Sequence, residues 1–361
     1  MSFLATYVGP LLCKLAVLIV IHELGHYAVA RYFGVSVDTF AVGFGPRLVG
    51  RQSRRTGTDW CVRAIPLGGY VKFASAETGD RKLDGVALEG LARWKRIAIL
   101  AAGPAVNLAF APLIFYAFVL TQGVSVYPPE AAGVLEDSPA AEAGIEAGDV
   151  LVSVEGEDVL GMGALSSRAR IGLGKPITTA WRSDAGVVTH VLVPELRTVE
   201  MMGRSSEVGL VGVKMYPPER VDVGPWTAVG HTADLTAEQA RNMLLGLWQI
   251  GSGQRGMDEM MGVVGMGHLS GEVVQNSGYA QLLMLMGIVS LSLGIVNLLP
   301  IPVLDGGQIT VLAYEGVTRR KVSQRAEDAL VRVGIAMVAA LLLVTLWNDL
   351  AAIWVVVSGG A

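Results

Sequence analysis

The polar residues of this 361-residue chain are spread unevenly, and four windows are almost entirely apolar. The windows cover residues 8–30, 97–121, 281–300 and 331–357. Each is close to the ~20 residues that an α-helix needs to cross the hydrocarbon core of a bilayer. The pattern therefore predicts a polytopic α-helical membrane protein with about four transmembrane helices.

The overall composition agrees with this pattern. Hydrophobic residues make up 52% of the chain and charged residues only 17%, whereas soluble domains carry about 25% charged residues. A soluble chain with so few charges could not cover its surface with polar groups. The formal net charge of −4 also excludes a generally basic nucleic-acid binder, so the expected partner is the lipid bilayer and not nucleic acid.

The loops between the apolar windows differ in the sign of their charge. Residues 31–96 contain 12 Lys and Arg against 6 Asp and Glu, and residues 122–280 contain 10 against 20. The third connection, residues 301–330, is again basic, with a cluster over Arg319–Arg325. By the positive-inside rule, the first and third loops lie in the cytoplasm, and the acidic segment and both termini lie outside.

The first loop has a strand-like pattern. Val35–Phe44 alternates, and Arg47–Val71 predicts two further strands around a turn at Arg54–Gly57. We interpret this loop as a cytoplasmic, membrane-associated β-hairpin. Its basic residues suit anionic lipid headgroups, and its exposed edge suits pairing with an extended peptide.

The acidic segment begins with a compact extracytoplasmic α+β domain, predicted over residues 127–217 from short β-like runs that alternate with helical stretches. The helices and strands predicted within it are Ala140–Ala143, Met162–Ile171, Asp149–Val154, Val187–Val193 and Val208–Met215.

Residues 218–280 predict an amphipathic segment at the outer membrane interface. Its pattern is helical from Pro225 to Ile250, with a candidate start at Thr236, and it has no clear period over Gly251–Gly267. The flanking regions, residues 1–126 and 281–361, carry two transmembrane helices each.

The first window contains the motif H-E-x-x-H at His22–His26. Four residues advance a helix by about one turn, so His22 and His26 project from one face and can share a tetrahedral zinc ion. Glu23 lies about 100° further round the helix, where it can take a proton from water beside the metal. Ionisable residues inside a spanning helix are costly, which favours a functional site over a structural contact.

A catalytic tetrahedral site with two histidines needs a third protein ligand. Asp305 follows the third window directly, and its depth in the membrane matches that of His22 and His26. Pro300 and Pro302 interrupt the helix, so that non-helical backbone can run beside a polar cavity. We predict Asp305 as the ligand, with Glu315 as the weaker alternative.

Three other polar residues lie in the apolar windows. Asn297 has two readings: it bonds a neighbouring helix, or it donates to a substrate carbonyl as negative charge develops. Asn107 has the same two readings, of which we favour packing. Lys14 is expected to snorkel towards the outer surface, with the lining of a water-filled path as the alternative.

Together these motifs resemble the site-2 protease family of intramembrane zinc metalloproteases, in the branch typified by the regulator of sigma-E protease. His22–His26 matches its H-E-x-x-H, and Asn297–Gly306 matches its N-x-x-P-x-P-x-L-D-G. Ser138–Leu151 resembles part of a PDZ domain, of which this chain has room for one, whereas well-known members carry two. Further segments that resemble the branch are Phe44–Pro46, Ile65–Lys72 and Ala102–Pro104.

The resemblance implies that His22, His26 and Asp305 bind Zn²⁺ and that Glu23 is the catalytic base. It implies cleavage within the transmembrane segment of a substrate in the bacterial inner membrane, such as a pre-trimmed anti-sigma factor or a signal-peptide remnant, with contact at the PDZ-like domain. One alternative is a non-catalytic membrane PDZ adaptor with a structural zinc site. Another is a membrane zinc hydrolase that acts on lipid-linked or prenylated substrates.

Overall fold

The computed structural model describes residues 9–74, 86–159, 161–201 and 204–358. The helices found there are α1 (Gly9–Tyr32), α2 (Arg93–Gln122), α3 (Pro139–Glu142), α4 (Gly163–Gly172), α5 (Pro225–Gly251), α6 (Val263–Ser277), α7 (Ala280–Leu298), α8 (Asp305–Thr318) and α9 (Gln324–Val357). The strands are β1 (Val37–Gln52), β2 (Asp59–Phe73), β3 (Val124–Val126), β4 (Ala131–Val134), β5 (Val150–Val154), β6 (Glu157–Asp158), β7 (Ile177–Ser183), β8 (Gly186–Leu192), β9 (Glu195–Met201), β10 (Arg204–Leu210), β11 (Val213–Met215) and β12 (Glu219–Val221).

Four of the helices in the described part of the chain are long and apolar enough to cross a membrane, namely α1, α2, α7 and α9. Each contains most or all of one apolar window, so the prediction of a polytopic α-helical membrane protein with four such helices is confirmed. α9 begins at Gln324, seven residues before its apolar window, so its first turns carry charged residues.

The described residues divide into two units. The first unit comprises the chain up to Phe118 together with Gly262–Leu346, and the second comprises Val119–Met261 together with the chain from Trp347 onward. The first unit therefore holds α1, α6, α7 and α8, most of α2 and of α9, and the β1–β2 hairpin. The second holds the remaining strands and α3 to α5. The predicted boundaries at residues 126, 217 and 280 stay predictions.

Helices of the first unit approach each other closely where glycine meets backbone. A methyl group at Gly25 would collide with the backbone of Ala102 and Gly103, which brings α1 and α2 together. One at Gly294 would strike Leu108 and the carbonyl of Pro104, which brings α7 against α2. Small residues permit this close packing between apolar helices.

The hairpin forms where the sequence predicts it, but as two long strands and not three. Its turn contains the predicted Arg54–Gly57, and Gly57 adopts a φ of +72° that suits glycine. Val42 pairs with both Val62 and Gly69, so the first half of β1 lies between the two halves of β2.

The second unit contains a four-stranded sheet in the order β6-β5-β7-β8. Its core includes the buried side chains of Leu151 and Trp181 from the sheet and Leu165 from α4. This mixture agrees with the predicted α+β composition, although β7 and β9 were not predicted. The expected strand Val208–Met215 is wrong as a single strand, because the chain turns at Gly212 (φ +84°) and β10 and β11 pair with different strands.

The segment after this domain is more helical than its pattern predicts. α5 begins at Pro225, a favoured first helical residue. The candidate start at Thr236 is wrong, because the Thr236 hydroxyl donates to the Thr232 carbonyl inside the helix at 2.7 Å. α6 likewise occupies part of Gly251–Gly267, where no period was found. α5 exposes apolar side chains, including Trp226 (90% exposed) and Trp248 (69%), as an interfacial helix would.

Candidate metal centre

The two histidines of the H-E-x-x-H motif lie one turn apart on the buried face of α1. Their Nε2 atoms are 3.2 Å from each other, and both rings are buried. Two imidazole nitrogens that converge in this way form half of a metal site.

Asp305 completes the cluster because α7 ends just before it. α7 stops at Leu298, and Pro300 and Pro302 prevent the helix from continuing. The chain turns through Val303, which has a φ of +83°, an unfavourable value for a β-branched residue. α8 then begins at Asp305, where the positive end of the helix dipole favours a carboxylate.

The carboxylate of Asp305 faces both imidazoles. Its Oδ2 lies 3.3 Å from the Nε2 of His22 and 3.5 Å from the Nε2 of His26. Burial by itself would raise the pKa of the Asp305 carboxyl, but hydrogen bonds and positive charge from His22 and His26 outweigh burial and lower this pKa. The group is therefore an anion at neutral pH, the form that binds a metal.

The donor set fits zinc. Zinc binds imidazole nitrogen and carboxylate oxygen at about 2.0–2.2 Å in a tetrahedron, whose corners are then about 3.3–3.6 Å apart. The three distances between His22, His26 and Asp305 lie at or next to this range. Among the described residues, His22, His26 and Asp305 are the His, Cys, Asp or Glu side chains that lie close enough together to hold a metal. We call them the three-donor cluster.

α2 packs against both imidazole rings of the cluster. The Nδ1 of His26 donates to the Ile99 carbonyl at 2.8 Å, and the Nδ1 of His22 lies 3.1 Å from the Asn107 amide. A side chain on Gly103 would collide with the His26 ring, so this position admits glycine alone. α2 therefore fixes the orientation of both rings.

Glu23 lies between the cluster and the hairpin. It is half-buried, and its carboxylate accepts a hydrogen bond from the backbone N–H of Val71 in β2. It is also close enough to all three cluster residues to interact with their charges. A methyl group on Gly69 would strike Ile19 and approach the Glu23 Cγ, so the strand lies directly on α1 here.

The other candidate residues have different surroundings. Glu315 accepts from the Val322 backbone N–H at 3.0 Å and faces Arg93 at 3.9 Å, so it is engaged outside the cluster. Asn297, at the end of α7, is half-buried, its side chain forms no hydrogen bond with residues that the structure describes, and its role stays a prediction. The expectation for Lys14 is wrong, because its Nζ is buried and donates to Ser270 Oγ at 2.7 Å.

The favoured interpretation of Asn107, a bond to a neighbouring helix, agrees with the structure, because its buried amide reaches α1. The partner on α1 was not predicted, and it is His22, a ring of the cluster. A signal was present in the spacing: Gly103 and Asn107 are four residues apart on α2, as are His22 and His26 on α1. Consecutive spanning helices run antiparallel, so Gly103 meets His26 where Asn107 meets His22.

Comparison with known proteins gives a consistent result. The sequence matches the profile of Peptidase family M50 over residues 10–341. Similar proteins include "Putative zinc metalloprotease Atu1380" of Agrobacterium fabrum, 32% identical over 98% of this chain and 97% of that protein. "Putative zinc metalloprotease mll0638" of Mesorhizobium japonicum is 34% identical over 96% of this chain and 99% of that protein. Metalloprotease MmpA of Caulobacter vibrioides is 31% identical over 94% of each.

Proposed function

The chain belongs to Peptidase family M50, the site-2 protease family, and from this premise we propose that it cleaves a peptide bond within the transmembrane segment of another membrane protein. It is a membrane metalloprotease with zinc as its cofactor. The observation that carries the proposal is the three-donor cluster, which lies in a unit built mainly from apolar, membrane-length helices.

The residues that would hold zinc are His22, His26 and Asp305, a set of three protein ligands as in catalytic zinc sites. Zinc, when bound, polarises the scissile carbonyl and makes water a stronger acid. Glu23 takes the proton of the attacking water and delivers it to the nitrogen of the leaving amine, which balances the hydrolysis. Asn297 donates from the end of α7 to the carbonyl oxygen as negative charge develops there.

The proposed orientation follows from the loop charges. The hairpin and the connection between α7 and α9 lie in the cytoplasm, and the second unit and both termini lie outside the bacterial inner membrane. His22 and His26 are in the last three turns of α1, and Asp305 follows the end of α7. In this orientation, the scissile bond lies in the cytoplasmic half of the substrate's transmembrane segment.

The hairpin is the proposed holder of the substrate. A peptide bond inside a helix is shielded by its own hydrogen bonding, so the substrate must be extended before water can attack. The Val71 N–H donates to the Glu23 carboxylate, so this part of β2 lies beside the proposed base. A substrate strand paired with this part of β2 would pass beside both Glu23 and the three-donor cluster.

The function is tested by mapping the products. The full-length protein, loaded with zinc in proteoliposomes, is given a model protein with one transmembrane segment, and the fragments are identified by mass spectrometry. We expect one cut in the cytoplasmic half of that segment. A protein that binds zinc and substrate but leaves every segment intact would be an adaptor, and release of a lipid-linked group would indicate the other hydrolase.

The second unit is proposed to contain a PDZ-like domain that restricts access. A pocket of about 140 Å³ lies between α4 and the turn from β10 to β11, lined by Leu165, Ala169, Leu210 and Val211 among others. Its largely apolar walls suit contact with a peptide. The exposed tryptophans of α5 are proposed to keep this region at the outer membrane surface.

Deletion of residues 127–217 is expected to relax the choice of substrate. A substrate with a large outer domain should be cut at a rate close to that of the same substrate trimmed to a short outer stub, because the bulk that excludes it is gone. The two rates are compared in proteoliposomes. Cleavage of the stub by the variant verifies that its site is intact, and continued rejection of the large substrate would contradict the filter.

A further inference from the structure

Asn107 is buried between three helices of the first unit. It lies on α2 with no exposed surface, and its amide reaches His22 on α1. Its backbone carbonyl accepts a hydrogen bond from Ser290 Oγ on α7 at 2.9 Å, and Ser290 is also fully buried. A polar side chain in such a place is expected to have a hydrogen-bond partner, because burial of an unpaired amide is unfavourable.

The contact between Asn107 and His22 carries information about the proton on the imidazole ring. The ligand atom is the Nε2 of His22, which converges on His26 and Asp305. A nitrogen that binds a metal offers a lone pair, so the proton of the neutral ring must be on Nδ1. The group opposite Nδ1 must therefore be an acceptor, and the acceptor of an asparagine side chain is Oδ1.

The amide of Asn107 reaches this arrangement by a half-turn about its last torsion. Nδ2 faces His22 Nδ1 at 3.1 Å, whereas Oδ1 has no partner among the residues that the structure describes. The two ends of an amide have the same shape, so the half-turn needs no extra space. The half-turn breaks no hydrogen bond to Oδ1, because Oδ1 has none among the described residues, and it places Oδ1 as the acceptor for the Nδ1–H of His22.

His26 already makes the corresponding hydrogen bond, from its Nδ1–H to an acceptor. Its Nδ1 donates to the Ile99 carbonyl at 2.8 Å, which leaves its Nε2 free to bind a metal. Ile99 and Asn107 are eight residues apart on α2, about two turns, and each meets one ring. The backbone supplies the acceptor for His26, and a side chain must supply it for His22.

We propose that Asn107 is a positioning residue of the metal centre, whose Oδ1 accepts the Nδ1–H of His22 and so holds that ring in the tautomer and orientation that bind zinc. Partners of this kind raise the basicity of the ligand and restrict the rotation of its ring, and their loss typically costs about 10–100-fold in metal affinity. The inference depends on the ligand set of the proposed function but not on the substrate.

Zinc affinity tests the proposal without reference to proteolysis. The full-length protein in detergent is titrated against a chelator of known affinity, and the visible spectrum of the cobalt-loaded protein reports the geometry around the metal. Asn107→Leu, which has similar volume and no acceptor, should bind zinc about 10–100-fold more weakly and change the cobalt spectrum. Asn107→Asp, which can only accept, should restore both towards the original values.

The matched control is Ser290→Ala, which removes the other hydrogen bond at Asn107 without touching the ring contact. Its zinc affinity should stay within about threefold of the original. Asn107→Ala is the second variant without an acceptor, in case the leucine protein fails to accumulate, and the same loss is expected. The proposal is overturned if the variants without an acceptor bind zinc as tightly as the original, or if Asn107→Asp loses as much affinity as Asn107→Leu.

Because the readout is metal binding, this inference and the proposed function fail separately. Weak zinc binding by Asn107→Leu in a protein that cleaves no transmembrane segment would support the positioning role and contradict the intramembrane protease. Normal zinc binding by Asn107→Leu in a protein that cuts its substrate would contradict the positioning role and support the intramembrane protease.

Discussion

Replacement of Glu23 by Gln is expected to abolish cleavage of a transmembrane substrate while zinc stays bound. The amide has nearly the shape of the carboxylate, so it can keep its place beside Gly69 and still accept from the Val71 N–H. It cannot take a proton from water. General-base catalysis contributes about 10²–10⁴-fold to a rate, and a loss in the upper part of this range is expected. Cleavage rate and zinc content are measured on the same preparation.

The control for Glu23→Gln makes the same chemical change elsewhere in the first unit. Glu272 on α6 lies 3.6 Å from His268, and it is neither in the three-donor cluster nor beside it in sequence. Glu272→Gln should cleave at close to the original rate. A Glu23→Gln protein that retained a tenth or more of the original rate would exclude Glu23 as the base.

The position of Glu23 links the base to the hairpin. Its carboxylate contacts β2 on one side and the charges of the three-donor cluster on the other. A substrate strand at the edge of β2 would compete for, or lie beside, the same Val71 N–H. In the proposed mechanism, the arrival of the substrate and the release of Glu23 for proton transfer can therefore happen in one step.

The helices and the cluster could be predicted because they depend on local rules. An apolar window of about 20 residues has few alternatives to a spanning helix. His22 and His26 share a face because helical spacing requires it. Asp305 could be found because it follows two prolines at the end of a window, at the depth of the histidines. None of these inferences needs the rotation of one helix against another.

The role of Asn107 could not be predicted in this way, because it depends on that rotation. Which residue of a neighbouring helix Asn107 faces is decided by how α1 and α2 pack. Gly25 and Gly103 allow a close contact on one particular face of each helix. Close packing of this kind is set by the whole interface, and one sequence read alone gives only the matching spacing of four residues.

α8 was missed for a related reason. No helix is predicted from the sequence after Asp305. Gly306 and Gly307 give no sign of one, because glycine weakens a helix by roughly 1 kcal/mol relative to alanine. In the structure they open a helix, and a methyl group on Gly306 would strike the Leu298 and Leu299 carbonyls. The two glycines permit α8 to start against the end of α7, which is what brings Asp305 to the histidines.

Replacement of Asp305 by Ala is expected to remove zinc from the protein and activity with it. Loss of an outer partner such as Asn107 is expected to cost about 10–100-fold in affinity, and loss of a ligand itself should exceed this. Alanine also leaves the two imidazoles without the anion that lies 3.3–3.5 Å from them. Zinc content after dialysis and affinity by chelator competition measure the effect.

Glu315→Ala is the matched control, because it decides between the two candidate ligands on α8. Glu315 is buried ten residues after Asp305 and is engaged by Val322 and Arg93, so its loss should destabilise the connection to α9 but leave zinc in place. Both variants lose one carboxylate from the same helix, which separates loss of a ligand from loss of a charge. Zinc retained by Asp305→Ala and lost by Glu315→Ala would reverse the assignment, and with it the geometry on which the proposed chemistry rests.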